Sequence, residues 1–148
     1  MSDRTVKLYR VLRAPPAKVY RAFIEPLALA RWLPPYGFCC EVLQMDAQVG
    51  GRFRMAFQHF GSGNRHSFGG EYLALVPGEH LHYTDEFDDP ALPGRMEVQV
   101  HLKPVIGGTE LRVAQSGIPD AIPLEMCHLG WQESLAQLAL LVEPEIPG

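Results

Sequence analysis

The sequence is poor in features that would identify a function at once. It has three cysteines in 148 residues, Cys39, Cys40 and Cys127, and two of them are adjacent. An odd, clustered set does not suggest a disulfide framework, and a reducing compartment, the cytoplasm, fits it best. Positive charge is not in excess, because 13 Lys and Arg face 17 Asp and Glu for a formal net charge of −4. Such a chain offers no basic field to phosphate backbones or anionic lipid, so neither nucleic acid nor a membrane is expected as a partner. No apolar run approaches a membrane span. The opening MSDRTVKLYRVLR interleaves four basic residues with its apolar ones, unlike a secretion signal. Cys-x-x-Cys, His-Glu-x-x-His and Gly-x-Ser-x-Gly patterns are absent. His80 and His82 share one strand face, the outer one, and Cys39 and Cys40 point to opposite faces. No metal and no cofactor are therefore expected.

What is present is enough apolar residue, 47%, to bury a sizeable core, and the length suits one domain spanning 1–148. Thr5 to Arg13 alternates as a strand does. Pro15 and Pro16 suit the first turn of a helix carrying Val19, Tyr20, Phe23 and Ile24, which should end near Pro26. Leu27, Leu29, Ala30 and Trp32 predict a second short helix, stopped by Pro34, Pro35 and Gly37. From Phe38 the pattern becomes a meander, with strands near 38–46, 52–60, 67–76, 80–87, 95–103 and 109–116. Glycine and proline turns such as Gly50-Gly51, Pro77-Gly78 and Gly107-Gly108 separate them.

The last segment opens with Pro119, Asp120 and Pro123, ends at Pro144, and reads as the longest helix. Around Trp131, the residues Leu124, Cys127, His128, Leu135, Leu138 and Val142 fall on one face, expected to point inward. Leu129, Ala136 and Leu140 lie opposite, so the helix is covered on two faces or contributes to a homodimer. Strands and helices do not alternate, which excludes a doubly wound parallel sheet. The expected fold is α+β: a curved antiparallel sheet gripping the C-terminal helix, with the space between them filled by side chains or left as a pocket.

Several short motifs occur together in order along nearly the whole chain. They are Ala14-Pro15-Pro16 with Val19-Tyr20-Arg21-Ala22-Phe23, then Pro26…Arg31-Trp32, Gly50-Gly51-Arg52-Phe53 and Gly70-Glu71-Tyr72 before Pro77-Gly78. Leu81…Tyr83-Thr84, Gly108-Thr109-Glu110-Leu111 and Gly130-Trp131 complete the set. In these the chain resembles the START-like, or SRPBCC, superfamily, and within it the branch related to the C-terminal domain of the activator of the heat-shock protein 90 ATPase. The resemblance implies a helix-grip fold and often a hydrophobic cavity for a small molecule. It implies no single reaction. The branch name also suggests a module that modulates a chaperone ATPase, although the additional N-terminal domain of that co-chaperone is missing here.

On the strand parity above, Phe53, Met55, Phe57 and His59 point inward. So do Leu81, Tyr83, Asp85 and Phe87, then Met96, Val98, Val100 and Leu102, then Leu111, Val113 and Gln115. Most of these are core. The polar members, His59, Tyr83, Asp85, Gln115 and His128, must find a partner, a water or a ligand. His59 and Gln115 sit at strand ends, where solvent can satisfy them. Asp85 is either fixed by a hydrogen bond to Tyr83 or a histidine, or is the polar anchor of a pocket. Gly130, costly inside a helix, implies either a close approach of helix to sheet or room for a ligand beside the indole. The acidic Asp85-Glu86…Asp88-Asp89 run leads into a turn suited to a cavity rim.

The preferred function is binding of a small hydrophobic or aromatic ligand. The site would draw on Trp32, Phe57, His59, Tyr83, Asp85, Met96, Val98, Gln115, His128, Trp131 and Leu135. Catalysis of a cyclase, dehydratase or hydrolase type on an aromatic or polyketide-like substrate would instead require two titratable groups, Asp85 and His128, to converge.

Overall fold

A computed structural model describes residues 4–148. The chain starts with β1 (Val6–Leu12), followed by α1 (Pro16–Ile24) and α2 (Pro26–Trp32). Strands β2 (Phe38–Met45), β3 (Arg52–His59), β4 (Arg65–Val76), β5 (His80–Phe87), β6 (Met96–Val105) and β7 (Gly108–Ser116) come next, and α3 (Leu124–Val142) closes it. The seven strands form one antiparallel sheet in the order β1-β7-β6-β5-β4-β3-β2. This is the expected α+β helix-grip arrangement. Differences from the sequence reading are small: β4 begins earlier, at Arg65, and β6 runs on to Val105. Residues 119–123 form a turn rather than the start of α3.

Each element follows from local chemistry. Proline in the first turn of α1 and of α2 removes an N–H that has no helical acceptor there anyway. Glu25 ends α1 and precedes α2, and its backbone N–H donates to the Arg21 carbonyl. The Trp32 indole N–H donates to the Ala22 carbonyl at 2.8 Å, and its ring meets Phe23 edge-on at 4.8 Å. Trp32 is completely buried, and it locks the two short helices together. In β6, alternation buries Met96, Val98, Val100 and Leu102, while Gln99, His101 and Lys103 are exposed.

The long helix lies along β1, α1 and α2 and does not approach the middle strands. Leu135, Leu138, Ala139 and Val142 are buried there. Three side-chain bonds tie α3 to the end of α2: Ser134 Oγ to the Leu33 carbonyl at 2.6 Å, and Gln137 Nε2 to the Pro34 and Trp32 carbonyls at 2.6 and 3.0 Å. On the outer side, Leu129 and Leu140 are 54% and 76% exposed.

The ladder between β4 and β5 is irregular. The register Gly69↔Glu86 and Tyr72↔Tyr83 sets Gly70 opposite Asp85, and a bulge follows between Tyr72 and Ala74. A Cβ on Gly70 would sit 1.8 Å from the Thr84 carbonyl oxygen, so only glycine permits this approach. Gly70→Ala is expected to lower stability by about 1–3 kcal/mol through forced backbone displacement, measurable by urea denaturation. A neutral effect would show that the sheet relaxes freely at this position.

Candidate functional site

Because α3 leans toward β1 and the short helices, the concave face of β3 to β6 is left partly uncovered. The result is a cavity of about 830 Å³, inside the range of roughly 300–1,000 Å³ usual for small-molecule sites. Its floor is built from β3, β4, β5 and β6, and one wall from Cys127, Gly130, Trp131 and Ser134 of α3. Leu33, Pro35 and Phe38 close another side. The exposed lining residues Arg65, His66, Asp88, Asp89 and Met126 mark its mouth. Asp88 is held there by Ser67 Oγ at 2.6 Å and by an ion pair with Arg54, which together keep its carboxyl below the usual range.

Of the residues expected at a site, Phe57, Tyr83, Asp85, Met96, Val98, Gln115 and Trp131 all line this cavity. Four others lie outside its lining. Trp32 is spent on the contact between α1 and α2, and Leu135 is buried under α3 in the core. His59 turns into the β3–β4 hairpin, where Nδ1 lies 2.9 Å from Ser62 Oγ and accepts the Ser62 backbone N–H. His128 is rotated toward β1 and borders a separate shallow depression with Thr5, Val6 and Lys7. The inward face of α3 is thus turned away from His128, with Ser134 and Ala139 buried instead. The pairing of Asp85 with His128 that an acid–base site would need is absent.

Gln115 also differs from expectation. It is not satisfied by solvent at a strand end but is only 8% exposed. Its carbonyl oxygen accepts the Trp131 indole N–H at 2.7 Å and the Cys127 thiol at 3.4 Å. Among the described residues its amide nitrogen meets the Met96 sulfur, at 3.2 Å. A thioether is a weak acceptor, so this nitrogen retains donor capacity beside the cavity.

Asp85 is the most unusual group. Its Oδ1 is buried and has no hydrogen-bond partner; of the two alternatives for Asp85, the bond to Tyr83 or a histidine is not formed. Burial pushes the carboxyl up to about 8, partly offset by a backbone hydrogen bond from Glu86, whose own charge raises it further. At neutral pH the carboxyl is therefore mostly protonated. Tyr83, beside it, is held well above its ordinary value by burial and by the Asp85 charge, so it stays a neutral phenol.

The glycine of α3 is settled by geometry: a Cβ at Gly130 would meet nothing within 4 Å. Close helix–sheet packing is not the reason for it. It leaves room beside Trp131, in the cavity wall.

The sequence reading did not name Phe68 and Tyr72 as site residues. Both face the cavity from β4. Their spacing, Phe68-x-Gly70-x-Tyr72, carried the signal, but Gly70 and the following bulge interrupt the alternation. Ile118 and Ile122 also reach the cavity, from an irregular turn with no periodicity to read. That turn is held by Arg4, which bonds the Ile118, Pro119 and Ile122 carbonyls.

Fold and cavity together define a helix-grip domain with an open interior. A family model described as "Activator of Hsp90 ATPase homolog 1-like protein" matches residues 13–143, and the chain belongs to that family. The crystal structure of protein CV1439 from Chromobacterium violaceum is 60% identical, with a TM-score of 0.95 over 96% of this chain and 99% of that one. Protein MLL2253 from Mesorhizobium loti, at 28% identity, has a TM-score of 0.76 over 97% and 99% of the two chains. Protein NE0264 from Nitrosomonas europaea, at 25% identity, has a TM-score of 0.77 over 94% of each. No curated protein matches the chain. Among the described residues, no helix is long and apolar enough to cross a membrane.

The raised carboxyl makes a pH prediction. An Asp that ionises near 3.8 unfolded and about 8 folded costs the native state nothing below the lower value. The cost grows across the window and is constant above it. Asp85→Asn should thus gain on the wild type by at most about 1.4 kcal/mol per pH unit between those limits. Denaturant titrations at pH 4 to 9 check this, and a pH-independent difference between the two proteins would contradict it.

Proposed function

We propose that this protein binds a small, largely aromatic or apolar molecule in the cavity between sheet and α3. The observation that carries the reading is a ligand-sized apolar cavity with an unpartnered buried Oδ1 of Asp85. Core space that served packing alone would be filled, and an unsatisfied buried oxygen costs stability unless a bound molecule meets it. Phe57, Tyr83, Met96, Val98 and Trp131 supply the apolar contact, and Asp85 and Gln115 orient a polar group. The free cysteines fit a cytoplasmic place of action.

Binding is preferred to acid–base catalysis because Asp85 lacks the histidine partner that catalysis on this pattern needs. The direct test is thermal shift against a panel of aromatic metabolites and lipids, repeated on two variants of Gly130. Gly130→Ala should raise the melting temperature of the free protein, since removing a mid-helix glycine gains about 1 kcal/mol and its Cβ meets open space. Gly130→Phe should fold but lose the ligand-induced shift. Equal shifts in Gly130→Phe and wild type would place the bound molecule elsewhere, and no shift with any compound would reject the reading.

A further inference from the structure

The surroundings of Asp85 narrow the chemistry of the ligand, on the footing of the binding function proposed above. Asp85 lies midway between two cross-strand aromatic pairs. On one side, Tyr83 meets Tyr72 with ring centroids 6.2 Å apart; on the other, Phe87 meets Phe68 at 6.4 Å. The register of β4 and β5 makes these pairs direct neighbours, Tyr72↔Tyr83 and Phe68↔Phe87. The position between them on β4, opposite Asp85, is Gly70, which has no side chain. Phe53 extends the cluster, lying 5.5 Å from Tyr72 and edge-on to Tyr83 at 5.6 Å. An acidic side chain with an unused oxygen therefore sits amid aromatic rings, and all of these side chains border the cavity.

The charges around the cavity point the same way. Its acidic lining residues are Asp85, Asp88 and Asp89, and its basic ones are Arg65 and His66. Arg65 is engaged by Glu41 and Asp88 by Arg54, both pairs at the exposed rim. No lysine or arginine among the lining residues lies inside the rim, so an anionic ligand would find no countercharge at depth. A cation would find aromatic rings and an acidic side chain able to ionise against it. Ring quadrupoles attract a cation, and the attraction grows when the site is desolvated. An ammonium that brings its own charge also favours the ionised carboxyl, so binding would satisfy the Asp85 oxygen with a charge-assisted hydrogen bond.

We propose that the cavity selects a primary or secondary amine carried on an aromatic or apolar body, with the ammonium seated against Asp85 between the Tyr72–Tyr83 and Phe68–Phe87 ring pairs. The test is calorimetric titration with three shape-matched probes, 1-naphthylmethylamine, 1-naphthylmethanol and 1-naphthoate, against wild type and Asp85→Asn. The wild type should bind the amine at least about tenfold more tightly than the alcohol, with the carboxylate weakest. In Asp85→Asn, confirmed folded by its melting transition, the ratio of amine to alcohol affinity should fall to near one. Alcohol or carboxylate binding as tight as that of the amine, or a preference for the amine that survives Asp85→Asn, would overturn the proposal while leaving the cavity as a binding site. Failure of all three probes, and of the wider thermal-shift panel, would overturn the binding function itself.

Discussion

The structure turns on one hydrogen-bonded bridge between sheet and helix. Gln115 of β7 reaches across to α3, and its carbonyl oxygen takes the indole N–H of Trp131 and the thiol of Cys127. Elsewhere α3 is held by apolar contact over β1 and the short helices, and by Ser134 and Gln137 at the end of α2. The bridge joins α3 to β7 at the cavity wall, and the space beyond it stays open because α3 packs on β1 and the short helices.

Asp85 belongs to the same economy of a few polar groups in an apolar interior. Gln115 is largely satisfied within the protein; Asp85 is not. One joins two walls of the cavity, and the other leaves an oxygen unpartnered within it. The two side chains are linked through Met96, which is paired with Asp85 across β5 and β6 and touches the Gln115 amide with its sulfur. A polar group on a bound molecule would meet donor capacity from Gln115 and either donor or acceptor capacity from the carboxyl, according to its protonation.

The strands were legible in the sequence because each inner face has a period of two and each turn carries glycine or proline. Gly78 and Gly107, with φ of 75° and 87°, are such turns. Most inward members of β3, β5, β6 and β7 followed from parity, and Tyr83, Asp85, Met96 and Gln115 emerged from it, whereas His59 at the end of β3 is drawn into the hairpin by Ser62. What parity does not encode is the rotation of α3 about its own axis. A helix with apolar residues on most of its circumference offers no single face, which is why His128 was expected inward while Ser134 and Ala139 were not. The aromatic pair from β4 was hidden for a related reason: a glycine and a register irregularity break the alternation there. Partner choice within the interior, such as Gln115 with Trp131, is a three-dimensional property with no local signature.

The anchoring of α3 is uneven along its length. Ser134, Leu135, Gln137, Leu138 and Val142 secure its middle and end, whereas its first turn follows Pro123 with no side-chain cap and carries Met126 at 67% exposure beside the cavity mouth. Local opening free energies follow such differences in burial and capping, so amide exchange should be fastest at the start of the helix and slowest past Trp131. The helix thus combines a fixed stem with a loosely held tip. The cavity mouth therefore borders the least buried stretch of the helix, and its inner wall at Trp131 borders the part held by the bridge.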